Sequence, residues 1–250
     1  MSARVSRPGT VPADPEIDGE MVARAARALR AGQVVAIPTD TVYGLAAAID
    51  RPDAIDRLYA IKGRPDEKAI PVLIADAEHV LVLTSRLSAT AAHLARSFWP
   101  GPLTLVLPGR QDLPQRVTDD TADGLRTVAI RVPDNALARA IIVAAGGALA
   151  VTSANRSGEV PAVEAGEVVR LELSRSLLVI DGGRAAGGVP STIVRVTSEK
   201  PEILREGAIP ASAIAEAFVG IEATAGDDAG ARYDPRIREQ ERCQVPGATR

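Results

Sequence analysis

Between residues 33 and 204 short aliphatic runs alternate with stretches of helical spacing, and that alternation restricts the chain to an α/β fold. Strands are predicted at 33–38, 70–75, 103–107, 127–132, 148–152, 177–180, 192–196 and 203–204. Helices are predicted at 17–30, 53–62, 87–98, 135–145, 163–173 and 211–218. The first of these rests on Ile17, Met21, Val22, Ala25 and Leu29 at helical spacing, with Gly32 as its stop. The connections vary in length and some successive strands have no helix between them, which favours a mixed sheet over a purely parallel one. Hydrophobic residues make up 46% of the chain but aromatics only 2%, so the core must be built from Ala, Val, Leu and Ile. Residues 109–126 are polar and aperiodic and read as a long loop. At the ends, residues 1–15 hold four Pro and Gly and read as a flexible arm. Residues 220–250 have few apolar side chains and read as a disordered tail, which leaves one folded domain over 16–219.

Several chemistries are excluded. Cys243 is the only cysteine, so neither a disulfide framework nor a Cys-rich metal site can form. His79 and His93 are too few for a His-based metal cluster, and both sit in helical, apolar surroundings where a packing role outweighs that of a triad base. P-loop, dinucleotide-fingerprint and H-E-x-x-H patterns are absent. No apolar run approaches the ~20 residues of a membrane helix, and none follows the charged start as a signal peptide would. The expected compartment is the cytoplasm. A net charge of −3 argues against a general nucleic-acid coat while leaving room for a local basic patch.

Five segments carry polar chemistry. In PTDTVYGL (38–45), two hydroxyls, a carboxylate and a phenol follow a buried strand, where open α/β sheets bind ligands. A plain turn with a packed Tyr explains the same residues equally well. Lys62, Arg64 and Lys68 place three cations at a helix end, suited to phosphate or carboxylate, although cations also decorate helix C-termini for the dipole. AVTSANRSG (150–158) ends a strand in hydroxyls and an amide, which could line an anion or merely cap a turn. The segment 182–192 carries four glycines ahead of Ser191 and is either a lid or a linker. Finally, Arg205 lies just beyond a short strand. Together these strand-end features propose one polar, cation-rich cleft.

Taken in order, PTDTVYGL (38–45), KGRP (62–65), SFWPGPLTLVL (97–107), TVAIRVP (127–133), VTSANRSG (151–158), ST (191–192) and LREG (204–207) resemble the YrdC/Sua5 family, the L-threonylcarbamoyladenylate synthases. The family's K-x-R…S-x-N signature falls on Lys62, Arg64, Ser153 and Asn155, and the resemblance covers about residues 16–215. It implies the short, single-domain form, with a twisted, open mixed sheet flanked by helices and a concave cationic cleft. A His that some relatives place after the Lys68 position is missing here.

The resemblance also implies a nucleotidyltransferase reaction in which L-threonine, bicarbonate and ATP give threonylcarbamoyl-AMP and pyrophosphate. The product would serve threonylcarbamoyl-transferase partner proteins that modify adenosine 37 of tRNA. Lys62 and Arg64 would be catalytic. Arg64, Lys68, Thr127, Val151, Ser153, Asn155 and Arg205 would bind ATP, and Thr39, Thr41, Tyr43, Arg131 and Ser191 would bind L-threonine. Mg2+ would arrive on the triphosphate, because no dedicated carboxylate cage is visible. Direct contact with tRNA or other RNA is a further implication. An RNA-binding module on the same fold is the alternative, opposed by the acidic balance and the few stacking aromatics. An inactive paralogue is opposed by the intact Lys62, Arg64, Ser153 and Asn155 set.

Overall fold

The computed structural model describes residues 18–63, 68–173, 177–198 and 200–224. The expected arm at 1–15, Arg64 and the tail beyond Thr224 with Cys243 lie outside the described residues. In chain order the elements are α1 (Gly19–Arg30), β1 (Val35–Ile37), β2 (Gly44–Ala48), α2 (Pro52–Lys62), β3 (Val72–Ile74), α3 (Ala89–Phe98), β4 (Leu103–Pro108) and β5 (Thr118–Asp120). They continue as β6 (Arg126–Arg131), α4 (Ala136–Ala145), β7 (Ala148–Ser153), α5 (Ala165–Arg170), β8 (Leu178–Val179), β9 (Thr192–Arg195), β10 (Glu202–Arg205) and α6 (Ala211–Thr224). Local chemistry sets the helix ends. Asp18, Ser88 and Asn135 each accept a backbone N–H as N-caps, a device worth about 1 kcal/mol apiece. Pro52 opens α2, and Gly63 closes it in the left-handed region at φ 61°.

The strands form one mixed, unclosed sheet in the order β10-β9-β4-β6-β3-β7-β2-β1-β8, with β5 pairing to β6. The pairs β1–β8, β3–β6 and β4–β9 are parallel and the rest antiparallel. Two strands escaped the sequence reading. The β2 sequence, GLAAA, lacks the β-branched and aromatic residues that mark strands, yet it is fully buried between β1 and β7. Its small residues are a packing requirement: a Cβ on Gly44 would stand 2.5 Å from Val151 Cγ1. The β5 strand, inside the expected 109–126 loop, is Thr-Asp-Asp and two of its three residues are exposed, so no apolar pattern announces it. The last helix runs on to Thr224, past the expected stop at 218. A single Gly220 costs about 1 kcal/mol in a helix and does not end one.

Strand alternation sorts side chains to two faces. One face carries the larger core, from Leu45, Val72, Leu105, Ile130 and Val194, and packs α2 and α3. On the other face α1 and α4 cover β1, β2, β3 and β7. That second core contains no residue of β4, β6, β9 or β10. There the register puts Ile193 beside Thr104, and Arg205 beside Ile193. Thr104 and Arg205 thus lie on the part of the face that α1 and α4 leave uncovered. Tyr43, Tyr59 and Trp99 are core residues with satisfied polar tips: the Trp99 Nε1–H donates to Leu103 O at 2.7 Å. Among the described residues no helix is long and apolar enough to cross a membrane.

Candidate functional site

Arg131 ends β6 on the uncovered face and is buried, with 6% exposure. Three of its five N–H donors are used within the protein. Nε donates to Gly101 O at 2.9 Å, Nη1 to Thr41 Oγ1 at 3.0 Å and Nη2 to Asp40 Oδ1 at 2.6 Å. Burial disfavours its charge, and the Asp40 carboxylate works against that loss. The turn after α3 supplies the Gly101 carbonyl, and Gly101 must be glycine because a Cβ would lie 2.5 Å from Phe98 O. Thr39 and Thr41 are buried and hydrogen-bond each other at 3.0 Å, while Thr39 Oγ1 also donates to Val42 O at 2.7 Å. Ser191, next to β9, shares a 2.8 Å hydrogen bond with Thr104 Oγ1, and Arg205 donates to its carbonyl at 2.7 Å. Arg205 stands close enough to Arg131 for the two cations to repel; that repulsion and, more strongly, burial both lower its pKa.

A second cluster sits where α2 meets the end of β7. The Lys62 ammonium donates to Ser153 O at 2.6 Å, to Ser153 Oγ at 3.1 Å and to Asn155 Oδ1. Ser153 Oγ donates to the same amide oxygen at 2.7 Å, and Asn155 Nδ2 ties down Glu159 O at 2.6 Å. Residues 91 to 93 positions apart in the chain are thereby joined. PTDTVYGL bridges the two clusters: Thr41 meets Arg131, while the Tyr43 carbonyl accepts from Ala154 N at 2.8 Å.

A cleft of about 420 Å³ opens over the first cluster, lined in part by Thr39, Asp40, Thr41, Asp134, Arg184 and Gly187. Its charges are of both signs. Arg184 pairs with Glu164 at 2.6 Å, but both are exposed, so that pair contributes little. Residues 182–190 lie across the PTDTVYGL segment. Gly188 N donates to Thr41 O at 2.7 Å, Ala185 N to Val163 O at 2.8 Å, and a Cβ on Gly187 would lie 2.9 Å from Asp40 O. The segment read as a lid or a linker thus rests on the cleft wall.

The remaining expected residues fall in different places. Tyr43 is fully buried and lies beneath the loop, where its hydroxyl donates to Gly183 O at 2.7 Å and accepts from Gly182 N at 3.3 Å. Burial pushes its phenol above the usual pKa, which keeps the proton available for donation. Tyr43→Phe should therefore lower stability by about 1–3 kcal/mol in urea unfolding. An unchanged midpoint would mean that the loop is not anchored there. The Thr127 hydroxyl donates to Asp119 O at 3.0 Å across the β5–β6 pair, and Val151 packs over Gly44. Lys68 is exposed, and its carbonyl accepts from Tyr59 Oη at 2.7 Å. Neither His79 nor His93 lines the cleft. Sequence reasoning assigned no role to Asp40 or Thr104. The only signal for Asp40 was a carboxylate between two hydroxyls, and Thr104 looked like an ordinary strand residue.

Comparison with known proteins gives a consistent picture. Residues 27–207 match the Sua5/YciO/YrdC family model, described as "Telomere recombination". The chain is 42% identical over 200 residues to the threonylcarbamoyl-AMP synthase of Bacillus subtilis, covering 80% of this chain and 56% of that protein. It is 36% identical over 186 residues to that of Halorhodospira halophila, covering 74% and 90% respectively. The crystal structure of Pyrococcus abyssi Sua5 complexed with L-threonine superposes with a TM-score of 0.76 at 34% identity, over 87% of this chain and 64% of that one. The chain thus spans little more than half the length of the Bacillus protein and nearly all of the Halorhodospira one.

Proposed function

The chain belongs to the Sua5/YciO/YrdC family, and from that premise we propose that its cleft makes threonylcarbamoyl-AMP and pyrophosphate from L-threonine, bicarbonate and ATP. The product would be consumed by a transferase that modifies tRNA. The observation that carries this reading is the joining of Lys62, Ser153 and Asn155 into one hydrogen-bonded cluster, linked through PTDTVYGL to the buried Arg131. The free threonine amine attacks the carbon of bicarbonate, a C–N bond forms, and one water leaves to give the carbamate. A carbamate oxygen then attacks the α-phosphorus of ATP and pyrophosphate leaves.

Both reactants are anionic, so the protein must supply cations and fix their approach. Lys62, Arg64, Lys68 and Arg205 neutralise phosphate and carbamate charge, with Lys62 and Arg64 nearest the reacting phosphorus. Ser153 and Asn155 hold nucleotide oxygens, with Thr127 and Val151 shaping the nucleotide subsite. Arg131 takes the threonine carboxylate on its two remaining N–H groups, Thr41 and Ser191 take its polar atoms, and Thr39 and Tyr43 brace that wall. Mg2+ enters with the triphosphate as part of the substrate; among the described residues no three His, Cys, Asp or Glu side chains are grouped to hold a metal. The loop over Asp40 and Thr41 shields the carbamate from water. Pyrophosphate release should require both L-threonine and bicarbonate in a coupled phosphate assay. Equal release without threonine would overturn the synthase reading.

A further inference from the structure

The loop that rests on the cleft wall carries a charge that the reading above leaves unused. Among the described residues that line the cleft, Arg184 is the only cation, and the anions are Asp40 and Asp134. Asp40 is already held by the buried Arg131, its Oδ1 accepting from Nη2 at 2.6 Å. Arg184 Nη1 donates at 2.6 Å to Glu164, which does not line the cleft, and the two side chains are 66% and 47% exposed. An ion pair this exposed contributes little, so Arg184 can exchange it for a partner inside the cleft at small cost. The backbone on both sides of Arg184 is pinned. Tyr43 Oη donates to Gly183 O at 2.7 Å, and Ala185 N donates to Val163 O at 2.8 Å. Only the side chain has to turn.

We propose that Arg184 leaves Glu164 to bind the carbamate of the threonine-derived intermediate, supplying positive charge as that group forms. This rests on the synthase reading above. Free threonine enters as a zwitterion with no net charge. Once its amine has become a carbamate, the same molecule carries two negative charges, a carboxylate and a carbamate. The lining of the cleft already holds two carboxylates, so the added charge calls for a cation that reaches it there. A guanidinium suits the task because its planar fork matches the two oxygens of a carbamate as it does those of a carboxylate. Arg184 thereby favours the charged intermediate over threonine itself, whose binding it does not assist.

The test is steady-state pyrophosphate release by the full chain, with bicarbonate varied at saturating threonine and ATP. Arg184→Gln should raise the KM for bicarbonate about 10-fold, the lower end for a hydrogen bond to a charged group, because the guanidinium is exposed. Calorimetric binding of threonine alone and the KM for ATP at saturating bicarbonate should stay as in the wild type. Arg184→Lys keeps the charge and should recover part of the loss. Glu164→Gln removes the competing partner and should lower the KM for bicarbonate, by up to about 5-fold. Both side chains are exposed and Glu164 makes no capping hydrogen bond to α5, so these variants should fold normally. If Arg184→Gln and Glu164→Gln both raise that KM, the pair only braces the loop and the proposal falls. It falls too if Arg184→Gln raises the KM for ATP as much as that for bicarbonate. A wild type that needs bicarbonate, with Arg184→Gln indistinguishable from it, sinks this inference alone. A wild type whose pyrophosphate release ignores bicarbonate sinks the synthase reading with it.

Discussion

Lys62→Ala should slow pyrophosphate release by ~10²–10³ at saturating threonine, bicarbonate and ATP, the scale of one lost electrostatic stabiliser. In the proposed reaction the ammonium acts on the reacting phosphorus with Arg64, and in the structure it holds the turn that carries Ser153 and Asn155. Two consequences separate these contributions. Losing a buried donor should cost about 1–3 kcal/mol of stability, visible as a lower melting temperature. Lys62→Met keeps the stem and removes the charge, so it should lose as much rate as Lys62→Ala. If Lys62→Met kept near-normal turnover, the lysine would be a packing residue at a helix end and not an electrostatic stabiliser.

Arg131→Met should destabilise the fold by about 3–5 kcal/mol, the usual consequence of leaving one partner of a buried ion pair alone. Asp40 would keep its charge with no cation beside it, and Gly101 O and Thr41 Oγ1 would each lose a donor. Adding Asp40→Asn to Arg131→Met should recover much of that loss, because neutral groups of similar size tolerate burial better than an unpaired charge. Urea midpoints for the two single variants and the double variant measure this directly. A loss below about 1 kcal/mol in Arg131→Met would mean that the pair is solvated rather than buried.

The residues most legible in the sequence were those whose type is chemically demanding and whose neighbours repeat the demand. Lys62 precedes Gly63, which needs its left-handed conformation, so both the helix end and the cation announce themselves. Ser153 and Asn155 follow the aliphatic run of β7, so a strand end carrying hydroxyl and amide groups was readable. Asp40 was in plain view but ambiguous: a carboxylate between two threonines makes a turn as readily as a site, and only the arrival of Arg131 from a position 91 residues away decides between them. Thr104 escaped because a hydroxyl inside a strand pattern carries no information until the strand's neighbour is known.

Period and composition were enough to determine an α/β chain, a mixed sheet, an aliphatic core and the positions of most helices, because each depends on residues within one or two turns of each other. The family resemblance was legible for the same reason: its motifs are contiguous. Tertiary structure alone decided that Gly44–Ala48 is a central strand, since burial between two neighbours outweighs the helical preference of alanine. It also decided which face of the sheet is wet. That follows from register across β3, β6, β4, β9 and β10, a relation between residues far apart in the chain. Register sets which side chains share a face, and α1 and α4 pack only over β1, β2, β3 and β7. The uncovered remainder is where Arg131, Thr104, Ser191 and Arg205 meet.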